Sequence, residues 1–132
     1  MTRNVVLIVF SFLLLIACGD DRQTDTRHDD IRACATECYG YLIKGDIDAY
    51  VSQIHDYDSL PDEYQSQMRD LFAQYLANEQ RLHRGLVDAR VVGDTILDSV
   101  RADAFVEVSY GDSTCEQVSL PLVLKNGKWM LK

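Results

Sequence analysis

The chain reads as an α+β domain in which three N-terminal helices pack on a curved, four-stranded antiparallel sheet. Two observations carry this reading. Apolar residues recur at the 3.6-residue helical period as far as Leu82, and at the two-residue strand period from Leu86 onward. Turn signals at Gly111-Asp112 and Asn126-Gly127 then cut the second half into consecutive strands, which suits an antiparallel meander.

Ile31, Cys34, Ala35, Cys38, Tyr41 and Leu42 share one helical face, so residues 29–44 are predicted as an amphipathic helix that Gly45 stops. Asp46 is placed to cap a shorter second helix with Ile47, Tyr50, Val51 and Ile54 on its apolar side, ending near His55. Asp56 to Leu60 is a loop. Pro61 opens the third helix where its missing N–H costs nothing. Tyr64, Met68, Leu71, Phe72, Tyr75, Leu76 and Leu82 hold the helical period through about six turns, and Gly85 ends it.

Val87, Ala89 and Val91 alternate as a first strand, Ala104 to Tyr110 as a second, and Val118 to Leu124 as a third, with a fourth after Asn126-Gly127. Pro121 cannot donate to a ladder, which points to an edge position or a bulge in the third strand. By pleat parity Cys115 faces away from the side that Val118 to Leu124 share.

At the N-terminus, Arg3 precedes an apolar run from Val5 to Ala17 broken only by Ser11. The run is short of the roughly 20 residues a spanning helix needs, and suits an export signal. Leu15-Ile16-Ala17-Cys18 resembles the lipobox of bacterial lipoproteins, which implies cleavage before an acylated Cys18. The expected organisation is therefore a signal over 1–17, an acidic flexible tether over 18–28 and a single domain over 29–132. Two or more acyl chains make a stable anchor, and the expected location is the bacterial cell envelope, lipid-anchored, at the outer membrane.

Without residues 1–17 the chain keeps 12 basic residues against 21 acidic, a net charge of about −9, since Arg3 is the one charged residue removed. That argues against a nucleic-acid partner, whose usual footprint is a basic patch. With Cys18 committed to lipid, Cys34, Cys38 and Cys115 make one disulfide plus one free thiol the simplest arithmetic in an oxidising compartment, with the pair undecided. The i, i+4 spacing of Cys34 and Cys38 is read as packing rather than metal ligation, since no histidine or third cysteine lies nearby.

The order helix, Lys44-Gly45-Asp46-Ile47-Asp48-Ala49-Tyr50, long third helix, then strands closing on Lys125-Asn126-Gly127-Lys128-Trp129 resembles small lipoproteins of the nuclear-transport-factor-like, cystatin-like superfamily, which includes ketosteroid-isomerase-like enzymes. The resemblance spans residues 29–132. It implies a cone, in which the curved sheet wraps the long helix and leaves a pocket between sheet and helices. It also implies a fold that hosts many functions, with homodimers through the open sheet face.

Tyr50, His55 and Tyr75 are the residues expected to line such a pocket. No catalytic set, cofactor or metal site is assigned, because no glycine-rich phosphate loop, histidine–carboxylate metal signature or nucleophile elbow occurs. His55-Asp56-Tyr57-Asp58 is the densest polar cluster and reads as a solvated turn. The leading reading is a noncatalytic, membrane-anchored binding module for a small apolar ligand or a protein partner. Its alternatives are a ketosteroid-isomerase-like pocket enzyme and an acidic envelope inhibitor or immunity protein.

Overall fold

The computed structural model describes the backbone of residues 21–132 and the side chains from Thr26 onward. The signal expected over 1–17 and Cys18 lie outside the described residues. Helices α1 (Asp21–Lys44), α2 (Ile47–Ser52) and α3 (Asp62–His83) precede strands β1 (Leu86–Ile96), β2 (Arg101–Tyr110), β3 (Cys115–Lys125) and β4 (Lys128–Leu131). No described helix is long and apolar enough to cross a membrane.

The capping chemistry acts where the sequence places it. Asp46 Oδ1 accepts from the Ala49 amide at 3.1 Å, so α2 begins with one of its orphan donors satisfied. Pro61 stands immediately before α3, which ends at Arg84 and Gly85, both in the left-handed region at φ 62° and 86°. Asn126 and Gly127, at φ 51° and 77°, make the tight β3–β4 hairpin. Beyond α2 the chain forms a short 3-10 turn at Tyr57–Ser59, and Ile54 bridges Leu131 in parallel, so the exit from α2 runs along β4.

The chain over 21–28, expected as a flexible tether, is the first part of α1. Its sequence has no apolar residue to signal a helix, but polar side chains reach the sheet instead. Arg32 Nε donates to Asp94 Oδ1 at 2.8 Å, His28 Nδ1 meets the other oxygen of the same carboxylate, and Arg27 reaches the Asp98 carbonyl. Tertiary contacts thus override a sequence without helical periodicity.

The sheet is a β1-β2-β3-β4 antiparallel meander. Ala102, Ala104, Val106, Val108 and Tyr110 of β2 are buried against the helices, together with Leu122, Trp129 and Leu131. Facing them are Ile31, Ala35, Cys38, Tyr39 and Leu42 of α1. The helix that the sheet embraces is therefore α1, 24 residues long, and not the third helix that the resemblance implied. α3 meets the sheet chiefly at β1, and none of its residues is buried.

Pro121 introduces no bulge, because the β2–β3 register runs without a break. Its carbonyl accepts from Lys132 N at 3.2 Å, so its missing N–H faces the same side, where β4 ends. The irregularities lie in β1, between Leu86 and Asp88 and between Val91 and Gly93. Each extra residue reverses the pleat parity. Val91 pairs with buried Val106 and Asp94 with buried Ala104, so a carboxylate joins an apolar row.

The expected disulfide is not formed, and Cys34, Cys38 and Cys115 are free thiols. Cys38 is fully buried on the inner face of α1, whereas Cys115 is exposed beside Ser109 on the opposite face of the sheet. Cys34 donates to the Trp129 carbonyl at 3.3 Å.

Candidate functional site

Of the three expected pocket residues, two stand on neighbouring helices. Tyr50 of α2 is 7% exposed and stands edge-on to Phe72 of α3, with ring centroids 4.8 Å apart. Tyr75, one turn further along α3 from Phe72, is half-buried. His55 is elsewhere. Its backbone amide donates to Leu131 at 2.7 Å and its Nε2 lies 2.8 Å from Asp56, in a surface cleft shared with Lys125 and Met130.

Two further tyrosines are buried with Tyr50 in the core. Tyr39, on the buried side of α1 beside the expected Cys38, is 8% exposed, and Tyr110 ends β2 at 5%. Tyr110 donates its hydroxyl to Glu116 at 2.8 Å and lies 4.8 Å from the His83 ring. His83 in turn meets Asp112 at 2.9 Å. Burial pushes the Tyr39 hydroxyl up to about 12, and burial is also the first cause raising Tyr50, Tyr75 and Tyr110. Glu116 and Glu79 reinforce the shift at Tyr75, and the Glu116 hydrogen bond reinforces it at Tyr110. All four hydroxyls stay protonated at neutral pH.

Tyr39, Tyr50 and Tyr110 belong to the buried core between the helices and the sheet. Among the described residues, clefts open elsewhere: about 260 Å³ beside Cys34, Glu37 and Lys128, about 420 Å³ between Lys44 and Arg84, and about 480 Å³ around His28, Arg32 and Asp94. None of these opens onto Tyr50, Tyr75 or Tyr110.

The apolar surface that remains is on α3. Its first half is fastened by Tyr57, which is buried and whose hydroxyl accepts from Arg69 at 2.9 Å, while Gln65 donates to the Tyr57 and Leu60 carbonyls. Its last turn is fastened to the β2–β3 turn, where Gly111 N donates to Gly85 O at 2.9 Å and Asp112 N to His83 O at 3.0 Å. Met68, Phe72 and Leu76 rest against the core. Tyr64, Leu71 and Leu82 do not, at 59%, 62% and 59% exposure. The periodicity marks all of these residues as one apolar set, but the set spans more of the helix circumference than the core covers.

No family model matches the chain, and neither does any curated protein. A crystal structure of a protein from Campylobacter jejuni, described as a candidate NTF2-like transpeptidase, is similar at a TM-score of 0.59 and 22% identity, over 74% of this chain and 92% of that one. The likeness is one of fold, and the domain is NTF2-like: three helices against an open four-stranded antiparallel sheet.

Proposed function

We propose that the chain is a noncatalytic, lipid-anchored binding module of the bacterial envelope that docks a protein partner through the outer line of α3. The observation that carries this is the exposure of Tyr64, Leu71 and Leu82 on a helix held at both ends and buried nowhere. Isolated exposed leucines are ordinary, whereas an aligned series on a rigid helix is the form in which helices offer anchors to partners. The small-apolar-ligand version has less support, because none of the clefts named above opens onto the buried tyrosines.

The anchor rests on the lipobox-like Leu15-Ile16-Ala17-Cys18 and the short apolar run before it. An outer-membrane location is part of the same proposal. An isomerase-type reading has one observation in its favour, the Glu116 carboxylate against the Tyr110 hydroxyl. It stands second because none of the clefts named above opens onto that pair.

The test is retention of envelope proteins by the immobilised chain and by the Leu71→Glu/Leu82→Glu variant. Losing two apolar anchors is expected to lower retention at least about tenfold, the equivalent of about 1.4 kcal/mol. Equal retention by both would overturn the proposal.

A further inference from the structure

The turn that joins β1 to β2 carries two exposed apolar side chains, Leu97 at 53% and Val100 at 45%. The turn is rigid. The Leu97 and Asp98 amides both donate to the Arg101 carbonyl, at 2.9 and 3.3 Å, and the Asp98 carboxylate accepts from the Val100 amide at 2.9 Å and from Arg101 Nε at 2.7 Å. The one acid and one base of the turn are thus paired with each other, and the tip presents its two aliphatic chains with no unpaired charge between them.

The start of α1 is docked at the same place. Arg27 donates to the Asp98 carbonyl at 3.5 Å, while His28 and Arg32 hold Asp94, four residues earlier in the chain than Asp98. From Arg27 back to Asp21, where α1 begins, is six residues, about 9 Å at the helical rise. Three more residues lead back to Cys18 and span at most about 11 Å when extended. Arg27, which touches the β1–β2 turn, is therefore no more than roughly 20 Å of chain from Cys18. The β2–β3 turn stands at the other end of the ten-residue β2, about 33 Å away.

We infer that Leu97 and Val100 seat in the surface of the bilayer that holds Cys18, so that the domain stands on its β1–β2 turn. The inference rests on the reading of Cys18 as the lipid anchor and adds to it a contact made by the protein itself. The occupant is identified by the chain between anchor and turn, which is too short to carry the docked turn far from the bilayer. Its apolar pair then faces the boundary between headgroups and acyl chains, where the apolar faces of peripheral anchors lie about 5–10 Å deep. Two side chains alone would not hold a free domain on a membrane. Once Cys18 is inserted, the tether supplies the turn at high effective concentration, and a weak second contact suffices to orient the domain.

The experiment uses the full chain extracted from expressing cells, its acyl mass read by mass spectrometry, in phosphatidylethanolamine–phosphatidylglycerol vesicles that contain nitroxide-labelled phospholipid. A fluorophore on Ser99→Cys in the Cys115→Ser background reports the β1–β2 turn, and one on the native Cys115 reports the opposite end of the sheet. Lipid quenching is expected to be at least about tenfold stronger at Ser99→Cys than at Cys115, and to fall to the Cys115 level when Leu97→Asp/Val100→Asp is added. An unchanged thermal midpoint shows that the double variant still folds, and the comparison of the two sites needs no change to the apolar pair. Quenching that is absent at Ser99→Cys, equal at both sites, or as strong in the folded double variant overturns the inference while leaving the anchor in place. A chain without acyl mass overturns the anchor reading itself, and the inference with it.

Discussion

Arg32 of α1 donates to Asp94 of β1 at 2.8 Å, and the carboxylate it holds is 1% exposed on a row otherwise made of apolar side chains. His28 completes the grip from the preceding turn of the helix. Burial pushes the Asp94 carboxyl up, but hydrogen bonds from Arg32 and His28 outweigh it and hold the group below the usual carboxylate range. Asp94→Asn should therefore cost about 1–3 kcal/mol at neutral pH. A folded-state value depressed below the unfolded value of about 3.9 means stability that is present above that pH and lost as pH falls through the folded value. Urea unfolding of both proteins should show a gap at pH 7 that shrinks below about pH 4.

The three thiols should separate by reactivity. Cys115 is exposed, Cys34 is half-buried, and Cys38 is fully buried, with its hydrogen bond to Cys34 and its burial pushing its thiol up. Ellman's reagent added to the folded chain should consume Cys115 first and Cys38 only on unfolding. A Cys115→Ser variant that keeps the fast phase would contradict this order.

Gly111 has no room for a side chain, since a Cβ there would lie 2.5 Å from the Arg84 carbonyl. The close approach is what lets the β2–β3 turn fasten the end of α3. Gly111→Ala should lower stability by about 1–3 kcal/mol, read as a drop in urea midpoint with little change in slope.

His83 is held above its ordinary pKa by the hydrogen bond to Asp112, whose own carboxyl is drawn down to about 2, first by Thr114 and then by His83. Because the histidine's folded value is raised, its contribution is complete below about pH 6.5 and fades as pH rises through the folded value. NMR titration should place the His83 ring above 6.5, and Asp112→Asn, which keeps an acceptor for Thr114, should bring it back down. An unmoved midpoint in that variant would remove the pairing from the account.

The elements whose local chemistry is decisive were legible from the residues themselves: the Asp46 cap, Pro61 ahead of α3, and the Asn126-Gly127 hairpin all act in the structure as their spacing implies. The first turns of α1 were not, because Arg27, His28 and Arg32 find their partners near Asp94 and Asp98, more than sixty residues away in the chain. The bulges of β1 were hidden for a related reason. Val91 and Asp94 share a face only after an inserted residue, which strict alternation cannot register.

The site was legible in part. Tyr50 is buried against Phe72 and Tyr75 is half-buried one turn along α3, while Tyr39 and Tyr110 are buried in the same core, and residue types alone do not distinguish a lined pocket from a packed one. The periodicity of α3 also identifies an apolar set without saying how wide an arc the core will cover. That width separates Met68, Phe72 and Leu76, which rest on the core, from Tyr64, Leu71 and Leu82, which do not.

Whether that exposed line is covered in the cell is the direct test of the account. Leu71→Cys, in the Cys115→Ser background, can be labelled with a membrane-impermeant maleimide on opened envelopes and on the dilute purified chain. Docking through α3 predicts labelling at least about tenfold slower in the envelope, with Ser66→Cys reacting at the same rate in both. Equal rates at Leu71→Cys would contradict it.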